Sequence, residues 1–91
     1  MAVEVRLPTL LRTHTEGVGT LQSSGATVSE VFAEIVAAHP GLQGQLIDET
    51  GSLHKFVNVY VNDDDIRYLD QLDTKLADGD VISILPAVAG G

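Results

Sequence analysis

Apolar and charged residues alternate strictly along Val3-Glu4-Val5-Arg6-Leu7, a period of two that predicts a half-buried strand. Pro8 has no N–H to donate and ends that ladder. Gly17 and Gly19 flank a turn. Thr20-Leu21-Gln22-Ser23 then supplies a short returning strand, because a single strand cannot stand alone. The spacing changes after Ser24-Gly25-Ala26. Val28, Val31, Phe32, Ile35 and Val36 fall on one helical stripe, and Ala33, Ala37 and Ala38 favour helix intrinsically. Thr27 and Glu30 form a capping box in which each side chain satisfies an orphan backbone N–H. Pro40 disfavours helical backbone at His39, so the pattern predicts one main helix over about 27–39.

Residues 41–55 carry no clear period. Leu42 and Leu46 share one face of a short helical turn, among the conformationally free Gly41, Gly44 and Gly51. Phe56-Val57-Asn58-Val59-Tyr60-Val61 is rich in β-branched and aromatic residues and predicts a strand. Its all-valine face belongs against the helix, which turns Phe56, Asn58 and Tyr60 outward. Asn62-Asp63-Asp64 is turn chemistry, and Ile66-Arg67-Tyr68-Leu69 predicts a short edge strand. Leu72 and Leu76 pack a connecting segment before the Asp78-Gly79 turn. Val81-Ile82-Ser83-Ile84-Leu85 is the last strand, stopped by Pro86. A helix with one apolar stripe is covered by one side of a sheet. The expected fold is therefore α+β, a β-grasp with a mixed four- to five-stranded sheet covering one helix. Residues 1–86 are expected to form the domain, and residues 87–91 a flexible tail.

Composition narrows the function. The chain has 91 residues, enough for one domain and too few for two lobes around a substrate cleft. Five Lys+Arg against thirteen Asp+Glu give a net charge of −8, which repels phosphate backbones. Nucleic acid is thereby excluded in favour of a protein partner with an electropositive surface. The absence of Cys removes disulfides, iron–sulfur clusters and thiol nucleophiles. No apolar run approaches the ~20 residues that span a bilayer, and Met1-Ala2-Val3-Glu4 does not read as a signal peptide. The expectation is a cytoplasmic domain without a membrane partner.

No catalytic constellation emerges. His14, His39 and His54 are dispersed without helical ligand spacing, so no metal site is expected, and His39 simply faces the last carbonyls of the helix. Counting from Asp63, Tyr68 and Thr74 stand where a calcium loop needs Gly and Glu. The acidic turn, with Asp70, Asp73, Asp78 and Asp80, reads instead as a solvated surface that steers partners. Ser23-Ser24 and Thr13-His14-Thr15 lack the acid partner and oxyanion hole of a triad. Gly17-Val18-Gly19 lacks both the lysine and the following helix of a phosphate-binding loop, so ATP belongs on another protein.

The ending carries more. The last strand runs directly into Leu85-Pro86-Ala87-Val88-Ala89-Gly90-Gly91. Together with Leu7-Pro8-Thr9-Leu10-Leu11-Arg12 and Phe56-Val57-Asn58-Val59-Tyr60-Val61-Asn62-Asp63, this block resembles the ubiquitin-like sulfur carriers, the ThiS/MoaD-like family. Within that family it is most similar to the cysteine-biosynthesis carriers of the CysO type, and the resemblance runs the whole length. It implies that an E1-like adenylating and sulfurating enzyme activates Gly91 with ATP and converts it to a thiocarboxylate. It also implies a pyridoxal-phosphate cysteine synthase that accepts the sulfur, and a metalloprotease that releases cysteine from the carrier. ATP, pyridoxal phosphate and zinc would belong to those partners, with no cofactor on this chain. A molybdopterin synthase small subunit shares the same activation step. A ubiquitin-like modifier joined to lysines through Gly91 is a further class, and a β-grasp binding module that never uses its tail is another.

Physical chemistry supports the same end. A carboxylate is a poor electrophile and needs activation before acyl transfer. Gly90 and Gly91 have no Cβ, so a narrow channel can admit them with the carbonyl unhindered. Pro86 projects the segment away from the sheet, and Ala87, Val88 and Ala89 are small enough to be read in extended form. Phe56, Tyr60 and Leu85 are the expected docking surface, outward-facing and ringed by acidic residues.

Overall fold

The computed structural model describes residues 2–86. Five strands and one α-helix are present: β1 (Val3–Arg6), β2 (Thr20–Ser23), α1 (Val28–Ala38), β3 (Val57–Val61), β4 (Asp64–Asp65) and β5 (Val81–Pro86). The strand order is β2-β1-β5-β3-β4. β1 and β5 run parallel at the centre, and the remaining neighbours are antiparallel. This is the ubiquitin-like β-grasp, with a five-stranded mixed sheet wrapped on one helix.

Alternation decides which side chains meet the helix. Val3 and Val5, Val57, Val59 and Val61, and Ile82 and Ile84 are buried on one sheet face, opposite Val28, Val31, Phe32 and Ile35 of α1. The helix starts where its cap directs. Thr27 Oγ1 accepts from the Glu30 N–H at 3.2 Å, and Glu30 Oε1 reaches back to the Ala26 N–H at 3.5 Å. Behind the cap, the strand-like stretch Thr74–Leu76 is tied to the helix start: Val28 N–H donates to Thr74 O at 3.1 Å and Leu76 N–H to Ala26 O at 2.9 Å.

Several elements differ from the sequence expectation. Residues Thr9–Thr15 form a 3-10 helix where only a link to the glycine turn was expected, and this places His14 on a helical turn. Leu11 and Thr15 are its buried positions. The Thr15 hydroxyl donates to Val18 O at 2.6 Å, which satisfies a polar group inside the core boundary. The edge strand is Asp64–Asp65, paired with Tyr60 and Val61, while the expected strand Ile66–Leu69 is a 3-10 turn over Ile66–Tyr68. A local bond explains the shift. Asp65 Oδ1 accepts from the Arg67 N–H at 2.9 Å, a cap that bends the backbone out of the ladder after two residues. β5 reaches one residue further than expected, since Pro86 is in register with Val57. Leu42 and Leu46 are both fully buried in the core, the first at the end of a 3-10 turn over Pro40–Leu42.

Candidate functional site

Residues 87–91, which hold Ala87, Val88, Ala89, Gly90 and Gly91, lie outside the described residues, as does Met1. What the fold positions is the platform from which that segment continues.

Pro86 is at the end of β5, opposite Val57 of β3 and beyond the stretch Val81–Ser83 that pairs with β1. On the sheet face away from α1, Leu85 lies opposite Asn58, and Ser83 lies opposite Tyr60. Leu85 is 47% exposed and Tyr60 is half-buried. The outward orientation of both agrees with the alternation, and Ile82 and Ile84 are buried as it requires. Phe56 is 53% exposed but stands just before β3, with Asn58 between it and Tyr60. Leu85 and Tyr60 share the open sheet face, whereas Phe56 belongs to the end of the sheet.

The charges beside them are not the acidic ring that composition suggested. Arg67 donates to Asn58 Oδ1 and pairs with Asp65 Oδ2 at 2.9 Å. The Arg67 guanidinium holds the Asp65 carboxyl below the usual carboxylate range, mainly through their hydrogen bond. Lys55 Nζ sits 5.3 Å from the centroid of the Phe56 ring. His54 packs its ring 5.2 Å from the same aromatic, and its Nδ1 accepts from the Phe56 N–H at 3.2 Å. Asp78 and Asp80 instead flank the start of β5, where the Ala2 N–H donates to Asp78 Oδ1 at 2.7 Å, the Ala77 N–H to Asp80 Oδ2 at 2.8 Å and Asn62 Nδ2 to Asp80 Oδ1 at 3.2 Å. Along β5 the surface thus passes from acidic at Asp80 to basic and apolar at Pro86.

One participant escaped the sequence reading. Leu10 is 70% exposed on the Thr9–Thr15 helix and lines a groove of about 280 Å³ together with Pro8, Phe56 and Pro86. The signal available was the pair Leu10-Leu11 after Pro8. A 3-10 turn buries one of two adjacent apolar residues and exposes the other. Among the described residues no three His, Asp or Glu side chains converge as a metal site, and no helix is long and apolar enough to cross a membrane.

Comparison with known proteins agrees with this architecture. The ThiS family profile matches residues 5–91. The sulfur carrier protein CysO of Mycobacterium tuberculosis is 47% identical over 93 residues, covering 100% of both chains. Small archaeal modifier protein 3 of Haloferax volcanii is 42% identical over 66 residues, covering 72% of this chain and 71% of that protein. Among solved structures, the crystal structure of the Amycolatopsis orientalis BexX/CysO complex superposes with a TM-score of 0.90 at 47% identity, covering 98% of this chain and 99% of that chain.

Proposed function

This chain belongs to the ThiS family and is a homologue of sulfur carrier proteins; from that premise we propose that it carries sulfur as a thiocarboxylate at Gly91 for cysteine biosynthesis. The observation that carries this reading is the 47% identity to a sulfur carrier across 100% of each chain. An E1-like enzyme holds residues 87–91 extended and places the Gly91 carboxylate against ATP. A carboxylate oxygen attacks the α-phosphorus, pyrophosphate leaves, and an acyl-adenylate results. Sulfide sulfur then attacks the carbonyl carbon, AMP departs, and the thiocarboxylate remains.

The carrier's own contribution is presentation. Gly90 and Gly91 keep the reacting carbonyl unhindered, and Pro86 fixes where the segment leaves the sheet. With no Cys in the chain, no thiol competes for the activated acyl group. Catalysis and its cofactors reside in partners: ATP on the activating enzyme, pyridoxal phosphate on a cysteine synthase that accepts the sulfur, and zinc on a metalloprotease that frees cysteine and restores Gly91. The use of ATP assigns these steps to the cytoplasm.

The likeness to a small archaeal modifier protein favours one further reading, in which the same activated Gly91 is transferred to lysine amines. Isopeptide conjugates would accumulate in that case alone. Pyrophosphate exchange with the activating enzyme of the same organism tests the shared first step. An Ala added after Gly91 puts a Cβ at the reacting end, and the expected result is sharply reduced exchange with an unchanged fold. Exchange as fast as wild type in the extended chain would refute selection at the terminus. No exchange by wild type would refute the carrier.

A further inference from the structure

The helix presents a second line of residues besides the one it turns to the sheet. Ser29, Phe32, Ala33 and Val36 recur at i, i+3, i+4 and i+7, and with Ile47 and Leu72 they line a depression of about 340 Å³. Leu72 and Gly51 also line an adjoining depression of about 750 Å³, where Leu53 and Leu69 supply the apolar surface. Five partly buried apolar residues pack on the core, and four of them, Val36, Ile47, Leu53 and Leu72, lie in these two depressions. Leu69 adds a side chain that is 42% exposed. Half-open apolar surface is thus gathered into one furrow beside α1. Its charged lining is Asp48, Asp70 and Asp73 against the single cation Lys75. Asp48, Asp65, Asp78 and Asp80 accept backbone N–H groups of their own chain. Among the described residues, the carboxylates of Asp70 and Asp73 accept no hydrogen bond and enter neither ion pair. The furrow shares no lining residue with the groove at Pro86.

We propose that this furrow receives a basic amphipathic helix of a partner protein, held there while residues 87–91 remain available to a second protein. The proposal goes beyond the carrier reading and does not rest on it. Shape favours a helix as the occupant. The line from Ser29 to Val36 rises about 10 Å, two turns of α1, and a partner helix laid along it meets a matching apolar stripe. Ser29 and Ala33 are small and exposed, so its backbone can come close, while Phe32, Val36 and Leu72 receive its apolar side chains. Charge selects the flanks of that helix. A molecule of net charge −8 attracts cationic partners, and Asp70 and Asp73 offer two carboxylates with no competing bond inside the fold. Lysine or arginine beside the apolar stripe meets them without breaking an existing pair. Because the furrow and the Pro86 groove are lined by different residues, occupying one leaves the other open.

The test is an NMR titration of the full-length, isotope-labelled chain with a synthetic helical peptide of about four turns. The peptide carries leucines at i, i+3, i+4 and i+7 with lysines on both flanks. Saturable shifts are expected at Ala33, Val36, Ile47, Gly51 and Leu72, with Gly90 and Gly91 unmoved. Replacing the peptide's lysines by glutamates is expected to weaken binding about tenfold. Leu69→Ser, and separately Asp70→Lys combined with Asp73→Lys, are each expected to weaken the lysine peptide by about the same factor. All three side chains are exposed, and thermal denaturation of each variant checks the fold. Absence of saturable binding, or wild-type affinity in both variants, would overturn the proposal. Shifts centred on Asp78 and Asp80 would replace the furrow with general attraction to acidic surface. Equal affinity for the glutamate peptide would overturn the basic partner, and shifts at Gly90 and Gly91 would overturn the separation from the tail.

Discussion

Gly25 illustrates how much one residue decides between β2 and α1. It is buried, and a Cβ built there would lie 2.7 Å from the backbone nitrogen of Val31 and 3.0 Å from the Glu30 carbonyl carbon. Helix backbone cannot step aside as a flexible side chain can, so the position requires glycine for space. Its N–H also donates to Ser23 Oγ at 3.2 Å, and that hydroxyl donates to Glu34 Oε2 at 2.9 Å, linking β2 to the second turn of α1. Gly25→Ala is expected to cost about 1–3 kcal/mol, as overpacking does. At roughly 4–8 °C per kcal/mol for a domain of this size, the loss is readily seen in thermal denaturation. An unchanged Tm would show that the helix start shifts freely. The contrast with Gly19 is instructive, because the three atoms nearest a Cβ there all belong to the Arg12 side chain, which can move.

At the scale of elements, the strongest commitment is the face assignment of β3. Val59 is fully buried against α1, whereas Asn58 faces outward and accepts from Arg67. Val59→Asp would bury an unpaired carboxylate at a cost of several kcal/mol, comparable with the total stability of a small domain. Asn58→Asp would place a carboxylate beside the Arg67 guanidinium and is expected to be mild. Similar urea midpoints for the two variants would contradict the assignment. Such elements were legible because periodicity and burial agree in them. The alternation of β1, β3 and β5 and the capped stripe of α1 each follow from a single face meeting one core. The strand Asp64–Asp65 was not legible, since two aspartates carry no strand pattern and are held only by pairing with Tyr60 and Val61. Thr9–Thr15 and residues 41–55 were hidden for a related reason. Short 3-10 turns bury isolated residues such as Leu11 and Leu42 and leave no stripe to read. Of the docking candidates, Leu85 and Tyr60 followed from alternation. The groove did not, because it joins Pro8 and Leu10 to Phe56 and Pro86, which only the folded sheet brings together.

The whole molecule is arranged around one exit. Pairing with Val57 of β3 fixes Pro86, the start of β5 gathers Asp78 and Asp80, and its end gathers Lys55, His54, Arg67 and the apolar groove. This polarity gives a partner one end to approach, and the buried cluster of the described residues is built from the strands, α1 and the 3-10 turns. Deleting Gly90-Gly91 is accordingly expected to change stability by less than ~0.5 kcal/mol while abolishing function. The central claim, that Gly91 is the carrier atom's anchor, is tested most directly by intact mass. Wild type and the Gly90-Gly91 deletion are each incubated with the activating enzyme, ATP and sulfide, and the products are weighed and fragmented. The account predicts an oxygen-to-sulfur mass increase on wild type, localised to Gly91, and none on the deletion. An unmodified wild type under conditions that support pyrophosphate exchange, or the same increase on the deletion variant, would contradict it.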